Sequence, residues 1–312
     1  MKAFRFGLAL GLGLVMLAQG SAFAAWKTLA PLEMAGAGLA ATSLDGRVYV
    51  GGGRALTGPQ STFDVYDPKA NSWLPLTALP DGLADFGMAG VGGKLYVAGG
   101  SSALAKGQPS AALWIYDPAS TRWTRGPDMP APRMNYGFVA VGGKLYGIGG
   151  VGPEAGRVFV FDPVSGAWST AAALPHPRRA LAVAVSGARI YAIGGLDSAG
   201  AVSSAVDIFD PAKGTWSAGP ALPEGRAAAT AGAIGTTVHL VGGQRLQPLK
   251  TYDDHFVLTG GAWSKAAALP TPRHGSASAV LEKTWYVLGG GAGAGVFTDF
   301  TASDVVEAYQ AD

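Results

Sequence analysis

Short blocks of apolar residues alternate with glycine-rich turns along the chain, a pattern that predicts β-strands joined by tight connections. In the stretch that follows Trp123, residues 135–141 and 144–148 form two such blocks. Gly142-Gly143 lies between them and suits a two-residue hairpin turn, because both central residues of that turn type have positive φ. These residues therefore predict an antiparallel hairpin.

Two further strands complete the same stretch. Residues 157–161 form an alternating, aromatic-rich block. Asp162-Pro163 then opens a turn, since the aspartate bonds the turn backbone and proline fixes φ. A shorter fourth strand begins at Trp168, and Leu174-Pro175 ends the unit. The whole stretch predicts one antiparallel sheet of four strands.

Six copies of this unit follow one another. In each copy a tryptophan stands 27 residues before the second glycine of a Gly-Gly pair, although successive repeats are 45 to 50 residues long. The tryptophans are Trp26, Trp73, Trp123, Trp168, Trp216 and Trp263. A constant offset marks rigid structure, and the variable remainder marks loops.

Four strands of this length cannot bury both faces of their sheet alone, so the repeats are expected to pack around an axis. The inner strands, such as residues 89–93 and 182–185, are rich in glycine or alanine and suit the crowded centre. An aromatic residue recurs in the second strand, which we interpret as core between blades. It occurs at Tyr49, Tyr96, Tyr146, Tyr191 and Tyr286. We predict an all-β fold, a six-bladed β-propeller with four antiparallel strands per blade.

The pattern resembles the Kelch repeat, in which a Gly-Gly pair is followed by Tyr-Asp-Pro or Phe-Asp-Pro and then by tryptophan. The matching tripeptides begin at Tyr66, Tyr116, Phe161 and Phe209. The fifth repeat departs from the pattern, with residues 256–258, and the sixth ends at Tyr309-Gln310. The resemblance covers nearly all of residues 25–312 and implies a propeller. It implies less about function, because Kelch propellers include both binding modules and enzymes.

The count of strands also predicts how the ring closes. The last repeat supplies three strands, which end near Tyr309. Residues 26–32 are expected to supply the fourth, so that the last blade is closed by the N-terminal strand and leaves no open sheet edge.

The N-terminus has the pattern of an export signal. Lys2 and Arg5 precede the apolar residues 6–17, and Ala22-Phe23-Ala24 provides a cleavage site. We expect residues 1–24 to be a cleaved signal peptide and residues 25–312 to be the propeller, located in the periplasm or secreted. A membrane anchor is the alternative, but the apolar segment is short for a span. We expect no membrane span after cleavage.

Charge and cysteine content exclude several functions. Cleavage would remove two of the 23 basic residues and none of the 21 acidic ones, which leaves 21 − 21, a net charge of zero. This balance argues against a nucleic-acid partner. The absence of cysteine excludes disulfides, thiolate metal sites and a cysteine nucleophile. It also excludes the tyrosine–cysteine cross-link of copper oxidases built on Kelch-like propellers.

Arginine recurs ten residues after the tryptophan in four repeats. These residues are Arg133, Arg178, Arg226 and Arg273, with Gly36 and Leu83 in the other two repeats. They predict a partial ring at the channel mouth that binds carboxylate, sulfate or phosphate groups. The alternative is a structural role, with each guanidinium bonded to backbone carbonyls between blades. In Kelch domains that bind acidic peptides, arginines on these loops often make the contacts.

Residues beside this position add further candidates. Arg179 and His274 follow one place later, and Asn135 and Asp85 two places later. Arg179 breaks the repeat pattern, which favours a functional role. The remaining candidates are aromatic residues that would shape the site, namely Tyr136, Phe86 and Phe297. Phe297 lies in the longest loop, residues 291–304, which is either a contact surface or a simple surface insertion.

Metal and cofactor chemistry have little support. His239 stands at the recurring tyrosine position and is expected in the core. Asp253 and His255 would share one face of a strand, but they need further ligands. Neither a Gly-x-Ser-x-Gly elbow nor a phosphate-binding loop is present. We expect no metal and no cofactor.

Three hypotheses follow. The first is an exported, monomeric binding module that recognises an anionic group on a protein or glycan at the channel mouth. The second is an enzyme that modifies an acidic sugar, of the isomerase, mutarotase or lyase type, with His274 as the candidate acid–base group. Exported Kelch proteins that interconvert sialic-acid anomers make this second hypothesis reasonable. The third is a structural element of an envelope complex.

Overall fold

Each repeat forms one twisted sheet of four antiparallel strands in the computed structural model, which describes residues 25–311. The predicted signal peptide, residues 1–24, lies outside the described residues. Blade 1 contains Ala37–Leu44, Arg47–Ala55, Phe63–Asp67 and Ser72–Pro75. Blade 2 contains Gly87–Val91, Lys94–Ala98, Leu113–Asp117 and Arg122–Arg125. Blade 3 contains Gly137–Val141, Lys144–Ile148, Val158–Asp162 and Ala167–Ala171.

The other three blades repeat this order from the axis outward. Blade 4 contains Ala182–Ser186, Arg189–Ile193, Val206–Asp210 and Thr215–Ala218. Blade 5 contains Thr230–Ile234, Thr237–Val241, His255–Thr259 and Ala262–Ala266. Blade 6 contains Ala277–Leu281, Thr284–Leu288 and Val306–Gln310, with Ala25–Thr28 as its outer strand. The inner strands contact one another in a closed circle, blade 1 touching both blade 2 and blade 6. The six-bladed propeller is therefore confirmed.

The ring closes as the strand count predicts. Trp26 pairs with Tyr309, and the N-terminal strand runs antiparallel to Val306–Gln310. The regular strand ends at Thr28, earlier than expected, but the N–H groups of Leu29 and Leu32 still donate to carbonyls of the last repeat. Both ends of the described chain thus hold one blade together.

Buried apolar residues lie between the blades. Among the described residues, one apolar cluster fills each of the six interfaces between neighbouring blades. The recurring second-strand tyrosines contribute to these clusters, with Tyr191 only partly buried. Because sheet faces are covered only by neighbouring blades, most of the hydrophobic stabilisation depends on a complete ring.

The six tryptophans form an outer ring of hydrogen bonds. Each indole Nε1 donates to a carbonyl that follows the outer strand of the preceding blade, at 2.8–2.9 Å. The acceptors are the carbonyls of Ala267, Ala30, Thr77, Pro127, Ala172 and Pro220, in blade order from Trp26. This bond explains why the tryptophan keeps a fixed place in a repeat of varying length.

Candidate functional site

A closed ring of backbone hydrogen bonds surrounds the propeller axis where the inner strands begin. The residue twelve places after each tryptophan donates its N–H to the carbonyl of its equivalent in the preceding repeat, at 2.8–2.9 Å. The six residues are Gly38, Asp85, Asn135, Ala180, Ala228 and Gly275. We call this set the axial ring. It joins every blade to both neighbours at a single level of the channel.

All six residues of the axial ring have φ between 50° and 68°. This left-handed backbone favours glycine and tolerates asparagine and aspartate, whereas alanine pays a steric cost. At Ala180 and Ala228 the backbone hydrogen bonds offset this steric strain, because each residue donates its N–H and accepts at its carbonyl within the ring. The conformation limits the ring to short side chains.

A polar cavity of about 290 Å³ lies against the outer side of the axial ring. Its lining comes from two sets of loops, those that follow the Gly-Gly pairs and those that link the outer strand of one blade to the inner strand of the next. The polar residues that line it are Arg54, Asp85, Asn135, Arg179, Gln244, His274, Thr298 and Asp299. We call this cavity the mouth. On the other side of the ring, the inner strands line a channel cavity of about 400 Å³.

One side of the mouth is a closed network of charges. Arg54 forms ion pairs with Asp85 and, at 3.3 Å, with Asp299. Burial alone would lower the pKa of Arg54, but the two carboxylates reverse the effect and raise it. Burial raises the pKa of the Asp85 carboxyl, and Arg54 opposes that change. Arg54 is therefore already neutralised from within the chain.

Arg179 lies just before the inner strand of blade 4, whereas Ala37, another lining residue of the mouth, begins the inner strand of blade 1. The two residues therefore stand on opposite sides of the ring of six blades. The side chain of Arg179 is half-buried, and its Nη1 donates a long hydrogen bond of 3.5 Å to the carbonyl of Asp197. Among residues 25–311, no carboxylate lies within ion-pair distance of Arg179. It is the uncompensated arginine of the mouth.

His274 is buried beside the loop of residues 291–304. Its Nε2 lies 3.0 Å from the carbonyl of Gly293 and 3.4 Å from the hydroxyl of Thr298. Burial lowers the pKa of His274, although the Gly293 carbonyl opposes this change. The ring is therefore neutral at pH 7 and is tied to the loop that borders the mouth.

The four repeat arginines are not in the mouth. Arg133, Arg178, Arg226 and Arg273 are 1%, 3%, 0% and 1% exposed. Each donates to a backbone carbonyl near the second strand of its own blade, the acceptors being Gly147, Gly194, Gly242 and Val287. The expected arginine ring at the channel mouth is wrong as a description of their placement. The structural alternative fits, with bonds inside a blade instead of between blades.

Each buried arginine contacts the second residue of the third strand of its blade, and Arg226 also lies 4.2 Å from the Tyr252 ring and 3.6 Å from Asp254. Arg178 pairs with Asp207 at 2.8 Å, and Arg273 pairs with Glu307. In the other two blades the guanidinium carbon lies over an aromatic ring, at 4.1 Å for Arg133 over Phe159 and 4.8 Å for Arg226 over Phe256. A carboxylate or an aromatic face compensates a buried arginine in each case.

The three aromatic candidates lie in two different environments. Phe86 and Tyr136 are buried in the clusters between blades and border the channel, and the Tyr136 hydroxyl donates to the carbonyl of Ala98 at 2.7 Å. Phe297 is 53% exposed on the loop beside the mouth. Of the three aromatic candidates, Phe297 is thus the one that presents an aromatic face to the solvent around the site.

Thr298 and Asp299 belong to the long loop of residues 291–304 that the sequence singled out, but two polar residues of the mouth outside that loop, Arg54 and Gln244, were not predicted. Each directly follows a Gly-Gly pair, a position that pairs across to the residue eleven places after the tryptophan. Ala37 pairs with Arg54 in this way, and Ala227 with Gln244. The residue after each Gly-Gly pair was therefore the available signal.

The described residues offer little to a metal ion. His255 is buried and Asp253 is exposed just before the strand begins, so the expected shared face is wrong. His239 is buried, as predicted, and its Nδ1 lies 2.9 Å from Nε2 of His255. Within residues 25–311, no three histidine or carboxylate side chains come together as a metal site. In the described part of the chain, no helix is long and apolar enough to span a membrane, and the helical segments there are short 3₁₀ turns.

The chain belongs to the Kelch-repeat family. The family model of the KLHDC2/KLHL20/DRC7 Kelch-repeats domain matches residues 24–195 and again residues 135–308. Together these matches cover almost the whole propeller.

Individual relatives match only parts of the chain. Kelch-like protein 40 of Mus musculus is 35% identical over 79 residues, which is 25% of this chain and 13% of that protein. Kelch-like protein 33 of Homo sapiens is 36% identical over 75 residues, 24% of this chain and 14% of that protein. The solved structure of YjhT superposes with a TM-score of 0.76 at 20% identity and covers 91% of this chain and 95% of its own. The latter likeness concerns the fold.

Proposed function

We propose that this chain is an exported binding module that recognises an anionic group on a protein or glycan at the mouth of the propeller. Arg179 carries the proposal, because it borders the mouth without a carboxylate partner in the described part of the chain. A guanidinium group binds carboxylate, sulfate or phosphate through paired hydrogen bonds. Arg54, held by Asp85 and Asp299, is not free to do so.

The size and lining of the mouth support the same function. A cavity of about 290 Å³ accommodates one side chain or one sugar ring, at the lower end of ligand pockets. The amides of Asn135 and Gln244 border it and supply neutral donors and acceptors. Arg54 is balanced by Asp85 and Asp299, so Arg179 is the arginine of the mouth whose charge no described carboxylate balances, which suits a ligand with a single anionic group.

Export completes the proposal. Residues 1–24 have the features of a cleaved signal peptide, and the closing strand of blade 6 spans Ala25–Thr28. Cleavage after Ala24 would leave the closing strand of blade 6 intact. We therefore place the module in the periplasm or outside the cell.

A second candidate is an enzyme that isomerises or cleaves an acidic sugar. The observation that favours it is a pair of titratable groups in one cavity, with the pKa of Asp85 raised and the pKa of His274 lowered by burial. The raised pKa of Asp85 shifts this carboxyl toward neutral pH, and the lowered pKa of His274 favours the uncharged imidazole that can accept a proton. Arg179 would hold the carboxylate of the sugar.

The experiment measures binding of residues 25–312 to acidic sugars, sulfated glycans and acidic peptides by thermal shift and then by calorimetry. A ligand of the folded state raises the melting temperature with its concentration. We expect Arg179→Gln to weaken binding about tenfold or more, as for loss of a charge-assisted pair. Arg189→Gln, at a surface hairpin with a 53% exposed side chain, is the matched control. Equal binding by Arg179→Gln and the wild type would remove the proposal.

The enzyme candidate needs a separate measurement. Turnover of an acidic sugar would be followed by NMR in the wild type and in His274→Ala, with circular dichroism to verify folding. Loss of turnover in a folded His274→Ala protein supports catalysis. Binding without turnover leaves the binding module, and full turnover in His274→Ala rejects the acid–base role.

A further inference from the structure

Large apolar side chains stand exposed along one side of the mouth. They are Leu56, Leu249, Val296, Phe297 and Phe300, which are 70%, 52%, 81%, 53% and 73% exposed. We call this set the apolar crescent. It extends from the hairpin of blade 5, through the long loop of blade 6, to the loop of blade 1. Exposed apolar groups collected at one place, with polar residues around them, mark an interaction surface.

The loops that carry the crescent are tied to one another. The N–H of Gly295 donates to the side-chain oxygen of Gln244 at 2.7 Å, and an added Cβ at Gly295 would lie 3.2 Å from Leu249. Asp299, one residue before Phe300, reaches Arg54 of blade 1. These contacts join blades 5, 6 and 1 along the rim.

The loop itself is hydrogen-bonded in a form that turns its apolar side chains outward. Thr301 accepts from the N–H of Gly293 at 2.7 Å and donates to the carbonyl of Phe297 at 2.8 Å. Thr298 and Asp299 face the mouth, whereas the neighbouring Phe297 and Phe300 are exposed. The same short segment therefore contributes both to the polar cavity and to its apolar rim.

We propose that the apolar crescent docks a protein segment that presents a carboxylate side chain to Arg179 with large apolar residues beside it. The inference rests on the anion site at Arg179 and adds the chemistry of the residues that flank the anion. Charge complementarity selects the carboxylate, since Arg179 lacks one in the described chain. The crescent selects the flanking residues, because burying aromatic side chains is the main source of affinity at small interfaces.

Other occupants match less of this surface. An acidic sugar fills the mouth but leaves both phenylalanine rings in water. A second copy of the chain would bring another Arg179 and another crescent to the contact, so that like charges would meet without a carboxylate between them. A chain segment satisfies both parts, since one side chain enters the cavity while its neighbours lie on the rim.

The test is selection from a phage-displayed library of random peptides on immobilised residues 25–312. We expect enriched peptides to contain aspartate or glutamate within three positions of phenylalanine, leucine, isoleucine, valine or tryptophan. The strongest peptide is then synthesised and titrated against three variants. Phe297→Ser/Phe300→Ser should weaken it about 30-fold or more, the effect of losing an aromatic anchor. Arg179→Gln should weaken it about tenfold or more. Val164→Ser, at a 96% exposed residue of a blade 3 turn, should leave it unchanged.

The outcomes separate the two proposals. Loss of binding in Arg179→Gln but not in the double phenylalanine variant would keep the anion site and overturn the crescent. Failure to enrich any peptide, or enrichment of peptides without apolar residues, would also overturn it. A dimer detected by sedimentation, or binding to phosphatidylglycerol vesicles, that disappears in the double variant would assign the crescent to a second copy or to lipid instead. Because both rings are exposed, the double variant should keep the wild-type melting temperature.

Discussion

Blade 1 keeps a carboxylate whose arginine is missing. Asp64 occupies the second place of the third strand, the position of Asp207 and Glu307, but Gly36 stands where those blades have arginine. Among the described residues, no side chain or backbone group forms an ion pair or a hydrogen bond with the Asp64 carboxylate. Burial raises the pKa of Asp64 from 3.8 to about 6, and repulsion from Glu33 adds to the increase.

This difference gives an expected stability effect for Asp64→Asn. A change of about two pKa units corresponds to about 3 kcal/mol between the charged forms in the folded and unfolded chain. Asp64 is only partly buried, so solvent screening reduces the figure to about 1–1.5 kcal/mol. Asparagine has nearly the same shape and carries no charge. We therefore expect Asp64→Asn to raise the free energy of unfolding by about 1–1.5 kcal/mol at pH 7.5.

The dependence on pH identifies the cause. Because the folded pKa is raised, the wild type loses stability as the pH rises from 3.8 to about 6, and the loss is complete above that range. The advantage of Asp64→Asn should therefore vanish near pH 4. Urea unfolding at pH 7.5, 5 and 4, with equal slopes for both proteins, measures it.

Asp207→Asn is the matched control at the same repeat position. It leaves the buried Arg178 without its carboxylate, so it should destabilise the protein by about 3 kcal/mol at pH 7.5. Opposite signs for the two substitutions are the expected result. An Asp64→Asn protein that is no more stable than the wild type, or whose gain persists at pH 4, would refute the reasoning.

Three further predictions concern the rings and the closing blade. Trp26→Phe and Trp216→Phe each remove an indole hydrogen bond and should lower the free energy of unfolding by about 1 kcal/mol, measured with urea. Only Trp26→Phe should speed hydrogen exchange in Val306–Gln310, because the strand of Trp26 is the one outer strand that does not follow the rest of its blade in sequence. Equal exchange in both variants would contradict this. Burial lowers the pKa values of His239 and His255 from 6.5 to about 4. The free energy of unfolding should therefore fall as the pH decreases from 6.5 toward 4, and it should fall less in His239→Met. A wild-type free energy that stays constant over this pH range would count against the prediction. Gly275→Ala should lower the free energy of unfolding by about 1 kcal/mol, because alanine is strained at a positive φ. Gly38→Ala should lower it by about 2–3 kcal/mol, because its Cβ would also lie 2.6 Å from Asp85 Oδ1. Equal melting temperatures of the two variants would be the contrary result.

The repeat made the fold predictable, and the reason is local. Tryptophan, the Gly-Gly pairs and the Asp-Pro turns each encode a bond or a φ value within one unit, and Asp162, for example, accepts from the N–H of Val164 at 2.9 Å as its turn requires. Six concordant copies then leave one architecture. Strand ends were less exact, since residues 135 and 136 precede the inner strand that begins at Gly137.

The site was less predictable because a side chain's direction depends on residues far away in sequence. Arg178 and Arg179 are neighbours, yet the first is buried against Asp207 and the second borders the mouth. The strand residue 29 places after Arg178 decides that difference, and a recurring spacing alone does not reveal it. Arg54 escaped notice because it occurs after one Gly-Gly pair and in no other repeat.

The axial ring has a consequence for how such a mouth can diversify. Its backbone N–H groups are all consumed by neighbouring repeats, so none is left to donate to a ligand. Its left-handed φ values also keep bulky residues away from the axis. New specificity must therefore come from the adjacent positions, those of Arg179 and of Arg54, which reach over the ring from its sides. The axial ring can therefore stay constant while the residues beside it vary, so the same scaffold can bind different ligands without losing the hydrogen bonds that close the propeller.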